Sequence, residues 1–97
     1  MDYNFEWDPN KASQNRRRHG ISFEQAATVF RDPRAISLYD GEHSSAEEDR
    51  WITLGISADA GLVVVHHAFE QAGPSAARIR IFSSRRATKR ETDQYSE

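Results

Sequence analysis

The spacing of apolar residues changes twice along the chain, and this change restricts the fold more than any other feature. Apolar and polar side chains alternate over residues 3–7, which predicts a first strand. Over residues 8–33 the spacing becomes helical, and from Ala35 onward it returns to a period of two. The pattern therefore predicts helices packed on a sheet, which is the α+β class.

Capping residues predict two helices in the helical stretch. Asp8 suits the N-cap position and is followed by proline, so a first helix is expected over residues 9–18. Ser22 and Gln25 have the spacing of a capping box, which opens a second helix. This second helix is expected to stop at Asp32, because a residue that precedes proline disfavours the helical conformation.

Four more strands and a third helix complete the predicted order β-α-α-β-β-β-β-α, with an antiparallel sheet. The strands are expected over residues 35–39, 50–57, 62–69 and 78–82. The connections between these strands are expected at residues 40–49, 58–61 and 71–77. The strand over 62–69 is apolar on both faces in its first half, which favours the middle of the sheet. Thr88 and Glu91 form another capping box, which opens a short C-terminal helix.

Length and composition predict one small domain over residues 1–97. At this size folding buries only about two-thirds of the surface that an unfolded chain exposes, so one core has to supply the stability. The absence of cysteine excludes disulfides, a thiolate nucleophile and cysteine-ligated metal centres, and it favours the reducing cytoplasm. No apolar stretch has the length of a membrane span or the form of a secretion signal, so a cytoplasmic location without membrane contact is expected.

The formal net charge of −2 conceals an uneven distribution of charged residues. Most of the cations lie in two groups, which are Lys11 with Arg16, Arg17 and Arg18, and Arg78 with Arg80, Arg85, Arg86, Lys89 and Arg90. Acidic residues concentrate over residues 40–49. The basic groups favour contact with an anion, and the alternative is that both groups are simply solvated surface.

Five blocks of this sequence resemble the BrnT family of bacterial toxins. In order, they are Asp8-Pro9-Asn10-Lys11-Ala12 with Asn15 and the run from Arg18 to Ala26, then Glu48-Asp49-Arg50, Val63-Val64-Val65-His66, Arg78-Ile79-Arg80-Ile81 and the run from Ser84 to Glu91. The resemblance implies a RelE-like fold and a ribonuclease toxin of a type II toxin–antitoxin pair, which stops translation and growth until a BrnA-like antitoxin neutralises it. Two features depart from the family pattern. The connection over 71–77 is longer, and a second histidine, His67, directly follows His66.

RNA cleavage without a metal uses the 2′-hydroxyl as nucleophile, and it needs a base, an acid and cations for the developing charge. The catalytic candidates are Arg50, His66, Arg85 and Glu91, and the candidates for RNA contact are Arg78, Arg80, Arg86, Lys89 and Arg90. Arg85 is favoured as the main phosphate contact, with Arg50 entering from the neighbouring hairpin. The alternative is that arginines on an exposed strand only keep a sheet edge soluble and unpaired.

His66 is the preferred group for proton transfer, because imidazole titrates near neutral pH. An equally weighted alternative is a satisfied, neutral histidine with a structural role. Glu91 is the rival base, although the surrounding cations would lower its pKa and its capping role already explains its presence.

No metal or other cofactor is expected. His66 and His67 are adjacent on a strand, so they point to opposite faces and cannot reach the same ion. His19 suits the C-terminal end of the first helix, and His43 lies in the acidic loop, where it is expected to face solvent.

Two other functions stay open on the residues alone. A non-catalytic RNA- or DNA-binding module could use the same arginines for phosphate contact only, and a structural protein could use them to dock an acidic partner. Phe82 is the one aromatic residue near these arginines, which slightly disfavours a single-strand binder. The preferred interpretation is an endoribonuclease. Its antitoxin is expected to place an acidic or apolar segment over Arg78, Arg80 and the last helix. DNA is expected to be contacted only through that antitoxin.

Overall fold

Five strands form one mixed sheet in the computed structural model, which describes residues 2–97. The strands are β1 (Asp2–Glu6), β2 (Ile36–Tyr39), β3 (Arg50–Ser57), β4 (Gly61–Gly73) and β5 (Ala76–Arg86). The helices are α1 (Pro9–His19), α2 (Phe23–Ala27), which continues into a 3₁₀ turn over Thr28–Arg31, and α3 (Lys89–Tyr95). The α+β class and the order of the elements agree with the sequence prediction.

The sheet has the strand order β1-β5-β4-β3-β2, with β4 in the predicted central position. Strands β2 to β5 form an antiparallel meander, as expected. β1 departs from that pattern, because it runs parallel to β5 from the pair Asp2–Ala76 to the pair Glu6–Arg80. α1 and α2 follow β1 and carry the chain to β2 at the opposite edge, so the first two strands never pair with each other.

The predicted caps begin and end the helices. The Asp8 side chain accepts a 2.8 Å hydrogen bond from the Asn10 backbone N–H at the start of α1. Gly20 ends α1 with φ of 69°, a left-handed conformation that glycine adopts without steric cost. Both predicted capping boxes are present, one at Ser22 and Gln25 and the other at Thr88 and Glu91.

The predicted turn over residues 71–77 is wrong in extent. β4 continues to Gly73 and β5 begins at Ala76, so the turn itself is only Pro74 and Ser75. Most of the predicted connection is therefore paired strand, which forms the end of a long β-hairpin. β1 stabilises β5, the second strand of this hairpin. β1 pairs with residues 76–80, and the Asp2 N–H donates to the Ser75 carbonyl at 2.7 Å.

The hydrophobic core lies between the sheet and the pair α1 and α2. Its fully buried members are Ile21, Phe23, Ala26, Val29, Ala60, Val63, Val65, Ile79 and Ile81, with Phe5 and Trp7 of the N-terminal segment packed against them. Gly55 of β3 lies under this layer, where a Cβ atom would stand 2.7 Å from Cγ1 of Val29. Close packing thus requires glycine at that position.

The other side of the sheet, which we call the open face, carries the alternate residues of the same strands. It comprises Arg50, Ile52 and Leu54 of β3, Val64, His66 and Ala68 of β4, and Arg78, Arg80 and Arg85 of β5. α3 contacts β3 at one end of this face, and Leu54 and Val64 are buried there. Among residues 2–97 there is no helix long and apolar enough to cross a membrane.

Asn15 fastens α1 to β5. Its buried side chain donates from Nδ2 to the carbonyls of Ile21 (3.0 Å) and Ser84 (2.9 Å) and accepts the Ser84 N–H at 3.1 Å. β1 pairs with β5 only as far as Arg80, so Asn15 satisfies backbone groups that a longer strand would otherwise pair. The bonds hold the backbone directly before Arg85.

Replacing Asn15 with alanine should destabilise the fold by roughly 2 kcal/mol or more, because buried backbone groups lose their partners. Urea unfolding measures this change. Gln14→Ala is the matched control, since Gln14 is exposed on the same helix and its loss should cost less than about 0.5 kcal/mol. Equal losses in the two variants would show that the Asn15 bonds contribute nothing.

Candidate active site

The structure brings all four predicted catalytic residues to the open face. His66 lies in the central strand, opposite Ile52 on one side and Ser83 on the other. Arg50 lies opposite Ala68, and Arg85 lies opposite Val64. Ala68 and Val64 lie two residues after and two residues before His66 on β4. Arg50 and Arg85 are therefore diagonal neighbours of His66 on the same face. Glu91 reaches this group from α3.

A β-bulge at Phe82 selects Arg85 for this face. His66 pairs with Ser83 and His67 pairs with Ile81, which leaves Phe82 without a partner on β4. The extra residue reverses the alternation of β5, so that Arg80 and Arg85 share a face although one number is even and the other odd. Arg86 points to the opposite side, where its Nη1 donates to the Ala60 carbonyl at 2.7 Å.

Arg85 and Glu91 form a forked ion pair, with N–H···O distances of 2.8 and 2.9 Å. The hydrogen bond from Arg85 is the main reason that the Glu91 pKa falls to about 2, and the Thr88 N–H contributes through the helix cap. The pair in turn raises the pKa of Arg85. A carboxylate with so low a pKa is a poor proton acceptor, and its geometry suits it to orient the guanidinium.

His66 is half-buried, and its pKa lies below the ordinary value. Burial is the main cause, the positive charge of Arg85 adds to it, and the charges of Asp40 and Glu91 oppose it. No side-chain hydrogen bond joins His66 to another residue among residues 2–97, so its ring is not tied to a neighbouring group. A neutral imidazole of this kind can accept a proton.

His67 points to the other side of β4 and belongs to the core, as the alternation predicts. It is 2% exposed, its Nε2 lies 2.7 Å from the Thr53 hydroxyl, and its ring meets Phe30 edge-on with a centroid distance of 4.8 Å. Burial lowers its pKa to about 4. The second histidine is thus a neutral packing residue.

Arg50 is held in place from two directions. Its Nε donates to Glu48 at 2.9 Å, and its guanidinium stacks 3.8 Å from the centre of the Phe82 ring. Lys11 also approaches that ring, with Nζ 5.2 Å from its centre. Stacking on an aromatic ring fixes the plane of a guanidinium, which prepares it for a phosphate.

The remaining predicted RNA contacts are divided among three places. Arg78 and Arg80 line a cleft of about 510 Å³ on the open face, together with Glu6, Glu47, Glu48, Asp49 and Glu70, and Arg78 is 3.4 Å from Glu70. Lys89 and Arg90 are exposed on α3, with Lys89 3.9 Å from Asp93. Arg86 lies on the opposite side of the sheet. The residues predicted to contact RNA therefore do not share one surface, and the acidic loop folds beside Arg78 and Arg80.

α3 is anchored at both ends. Glu91 binds Arg85 near its start, and near its end the Tyr95 hydroxyl donates to Asp32 at 2.6 Å. Asp32 also accepts the Ile56 N–H at 2.8 Å, and these hydrogen bonds lower its pKa in spite of burial, which would raise it. The anchors keep Glu91 against the sheet.

Asp40 also belongs to the open face, although it was not among the residues predicted for the site. Its N–H donates to the Arg50 carbonyl at 2.8 Å, and its Oδ2 lies 2.8 Å from Nδ1 of His43. The period of two from Ile36 through Leu38 was the available signal. Asp40, Glu42 and His43 each place one ligand-type atom within 4.8 Å of the others. Two of the three are exposed, and acidic groups at the surface are common without an ion, so we assign no metal to them.

The chain is thus a small α+β protein in which arginines and a neutral histidine lie together on one face of the sheet. The family described as "Ribonuclease toxin, BrnT, of type II toxin-antitoxin system" matches residues 7–91, so the chain belongs to that family of toxins. The crystal structure of the Brucella abortus ribonuclease toxin, BrnT, has the same fold, with a TM-score of 0.52 and 21% identity over 92% of this chain and 100% of that one. No curated protein matches the chain.

The buried His67 should make the fold sensitive to acid. Its pKa is about 4 in the folded state and about 6.5 when unfolded, so only the unfolded chain takes up the proton as the pH falls between these values. Stability should fall by about 3 kcal/mol over that window and change no further from this group below it. Chemical unfolding from pH 7 to pH 4 measures the loss.

His67→Gln should flatten this part of the pH dependence, and His43→Ala should retain it, because His43 is exposed. An unchanged pH dependence in His67→Gln would assign the acid sensitivity to other groups.

Proposed function

We propose that this chain is an endoribonuclease toxin that cuts RNA without a metal ion, by attack of the 2′-hydroxyl on the adjacent phosphate. The observation that carries the proposal is a half-buried, neutral His66 flanked on the same face by Arg50 and Arg85. A base between two cations matches the needs of this reaction. Since the substrate is RNA in use for translation, we expect the toxin to act in the cytoplasm.

In the proposed mechanism His66 takes the proton of the 2′-hydroxyl, and the oxygen then attacks phosphorus. Arg85 and Arg50 stabilise the negative charge that grows on the phosphate oxygens. The Arg85 side chain is 37% exposed despite its bond to Glu91, so its outer edge can reach a phosphate. Arg78 and Arg80 would then hold neighbouring phosphates along the cleft beside the hairpin.

Glu91 has a supporting role in this mechanism. Its carboxylate holds both terminal nitrogens of Arg85 and also caps α3, so the helix and the guanidinium are placed by the same group. We therefore propose it as a positioning residue for Arg85, in place of the base that its sequence position suggested.

RNA cleavage by the antitoxin-free protein in excess EDTA tests the reaction. The wild type should produce fragments with cyclic or 3′-phosphate ends and 5′-hydroxyl ends. His66→Ala and Arg85→Ala should each cut about a hundredfold more slowly, the usual contribution of a proton-transfer or charge-stabilising group. Arg31→Ala is the control for lost charge, because Arg31 is exposed on the helical layer away from the open face.

Three other outcomes of this experiment would each contradict a different part of the proposal. Restoration of cutting only when Mg²⁺ is added would contradict metal independence. RNA left intact by the wild type but bound with a steep salt dependence would favour the non-catalytic binding module. Equal cutting by the wild type and Arg85→Ala would remove Arg85 from the mechanism.

We further propose that a BrnA-like antitoxin neutralises the toxin by covering the open face, with any DNA contact made by the antitoxin. Exposed Leu38 and Ile56 lie at one side of this face and exposed Arg80 at the other, so an apolar segment with an acidic end would match it.

Arg80→Glu should weaken the complex with the antitoxin by at least about tenfold at low salt, since it sets like charges against each other. Titration calorimetry with the purified antitoxin measures the affinity. Arg17→Glu is the matched reversal on the exposed side of α1 and should leave the affinity unchanged. Identical affinities for the wild type and Arg80→Glu would exclude this docking surface.

A further inference from the structure

A histidine–aspartate pair lies at the margin of the open face, outside the four residues discussed above. The Asp40 carboxylate and the His43 Nδ1 are 2.8 Å apart. Asp40 follows the last residue of β2 and bonds to the backbone of Arg50, so it extends the row of open-face residues that includes Arg50. The pair thus belongs to the same surface as His66 by its place in the sheet.

The loop that carries this pair is held against β3. The Ser44 hydroxyl donates to the Asp40 carbonyl at 2.7 Å and accepts the Arg50 N–H at 2.8 Å. With the bond from the Asp40 N–H to the Arg50 carbonyl, two of these contacts tie residues 40–44 to the first residue of β3, and the third closes the loop on itself. His43 is therefore presented from a braced turn, although it lies in the acidic loop.

The two side chains differ sharply in exposure. The Asp40 side chain is 11% exposed and that of His43 is 65% exposed. A sheltered carboxylate on Nδ1 orients an imidazole and leaves Nε2 free to act on a substrate. This is the arrangement of a proton-transfer histidine with its orienting carboxylate.

The pair is also close enough to His66 for their charges to interact. The negative charge of Asp40 raises the pKa of His66, and a positive charge on His43 lowers it. Arg85 and Glu91 act on His66 from the other side. Arg50 stands next to Asp40 and diagonally from His66 on the open face, so a phosphate at Arg50 would lie in the same patch as the histidine–aspartate pair and His66.

We infer that His43, oriented by Asp40, is the proton donor to the leaving 5′-oxygen in the reaction of this site. The inference rests on the proposed function and adds the acid that the mechanism above lacks. His66 removes the proton from the 2′-hydroxyl as the bond from that oxygen to phosphorus forms. The bond from phosphorus to the 5′-oxygen breaks, and that oxygen receives the proton from Nε2 of His43. The products are a 2′,3′-cyclic phosphate and a 5′-hydroxyl. One proton has moved from the 2′-hydroxyl to His66, and another from His43 to the 5′-oxygen.

A substrate with sulfur in place of the 5′-oxygen tests this role, because a thiolate leaves without protonation. On the ordinary oligoribonucleotide, with EDTA present, His43→Ala should be about a hundredfold slower than the wild type. On the sulfur-containing oligonucleotide it should cut at nearly the wild-type rate. His66→Ala should be slow on both, since the base is needed whichever atom leaves.

Asp40→Asn should show the His43→Ala pattern in weaker form, because the imidazole remains but loses its orienting charge. Glu42→Gln is the control for loop charge and should cut both substrates normally, since Glu42 is exposed beside His43.

His43→Ala cutting the ordinary substrate as fast as the wild type would overturn the inference, and so would equal slowing on both substrates, which would indicate a loop brace only. In both cases the proposed function stands, because the wild type cuts. A wild type that cuts neither substrate would overturn the proposed function and the inference with it.

Discussion

The two helices that follow β1 cover only one face of the sheet, so the two faces are stabilised by different kinds of interaction. Under α1 and α2 the contacts are apolar and closely packed, from Phe23 to Ile79. The open face relies on an ion pair, a guanidinium stacked on an aromatic ring and a short helix tied at both ends. Charged groups keep part of their hydration there, whereas under the helices they would lose it at high cost. Arg50, Arg85 and His66 accordingly lie on the open face.

The site on that face is supported from both sides of the sheet. Asn15 holds the backbone of Ser84 from the core side, and Glu91 holds the Arg85 side chain from the open side. Because the Arg85–Glu91 pair is partly exposed, its contribution to folding stability is at most about 1 kcal/mol. Its value lies in orientation, since a phosphate contact depends on the direction of the guanidinium.

Much of the fold could be predicted because its signals are local. Asp8, Gly20 and the two capping boxes act within a few residues, and each begins or ends a helix where the sequence indicated. The parallel pairing of β1 with β5 and the long hairpin could not be predicted in this way. Both depend on hydrogen bonds between segments that are far apart in sequence, such as Asp2 with Ser75.

For the site, the sequence by itself determined the residue types and the opposite directions of His66 and His67, because neighbouring side chains on a strand alternate. It also indicated that Glu91 would be a weak base, since cations surround it. Only the tertiary structure decided which arginines share a face with His66. The bulge at Phe82 brings Arg85 there and turns Arg86 away, and folding of the acidic loop against β3 adds Asp40 and His43. The reason is physical: one unpaired residue reverses the alternation of a strand, and a loop takes its position from the strand that it binds.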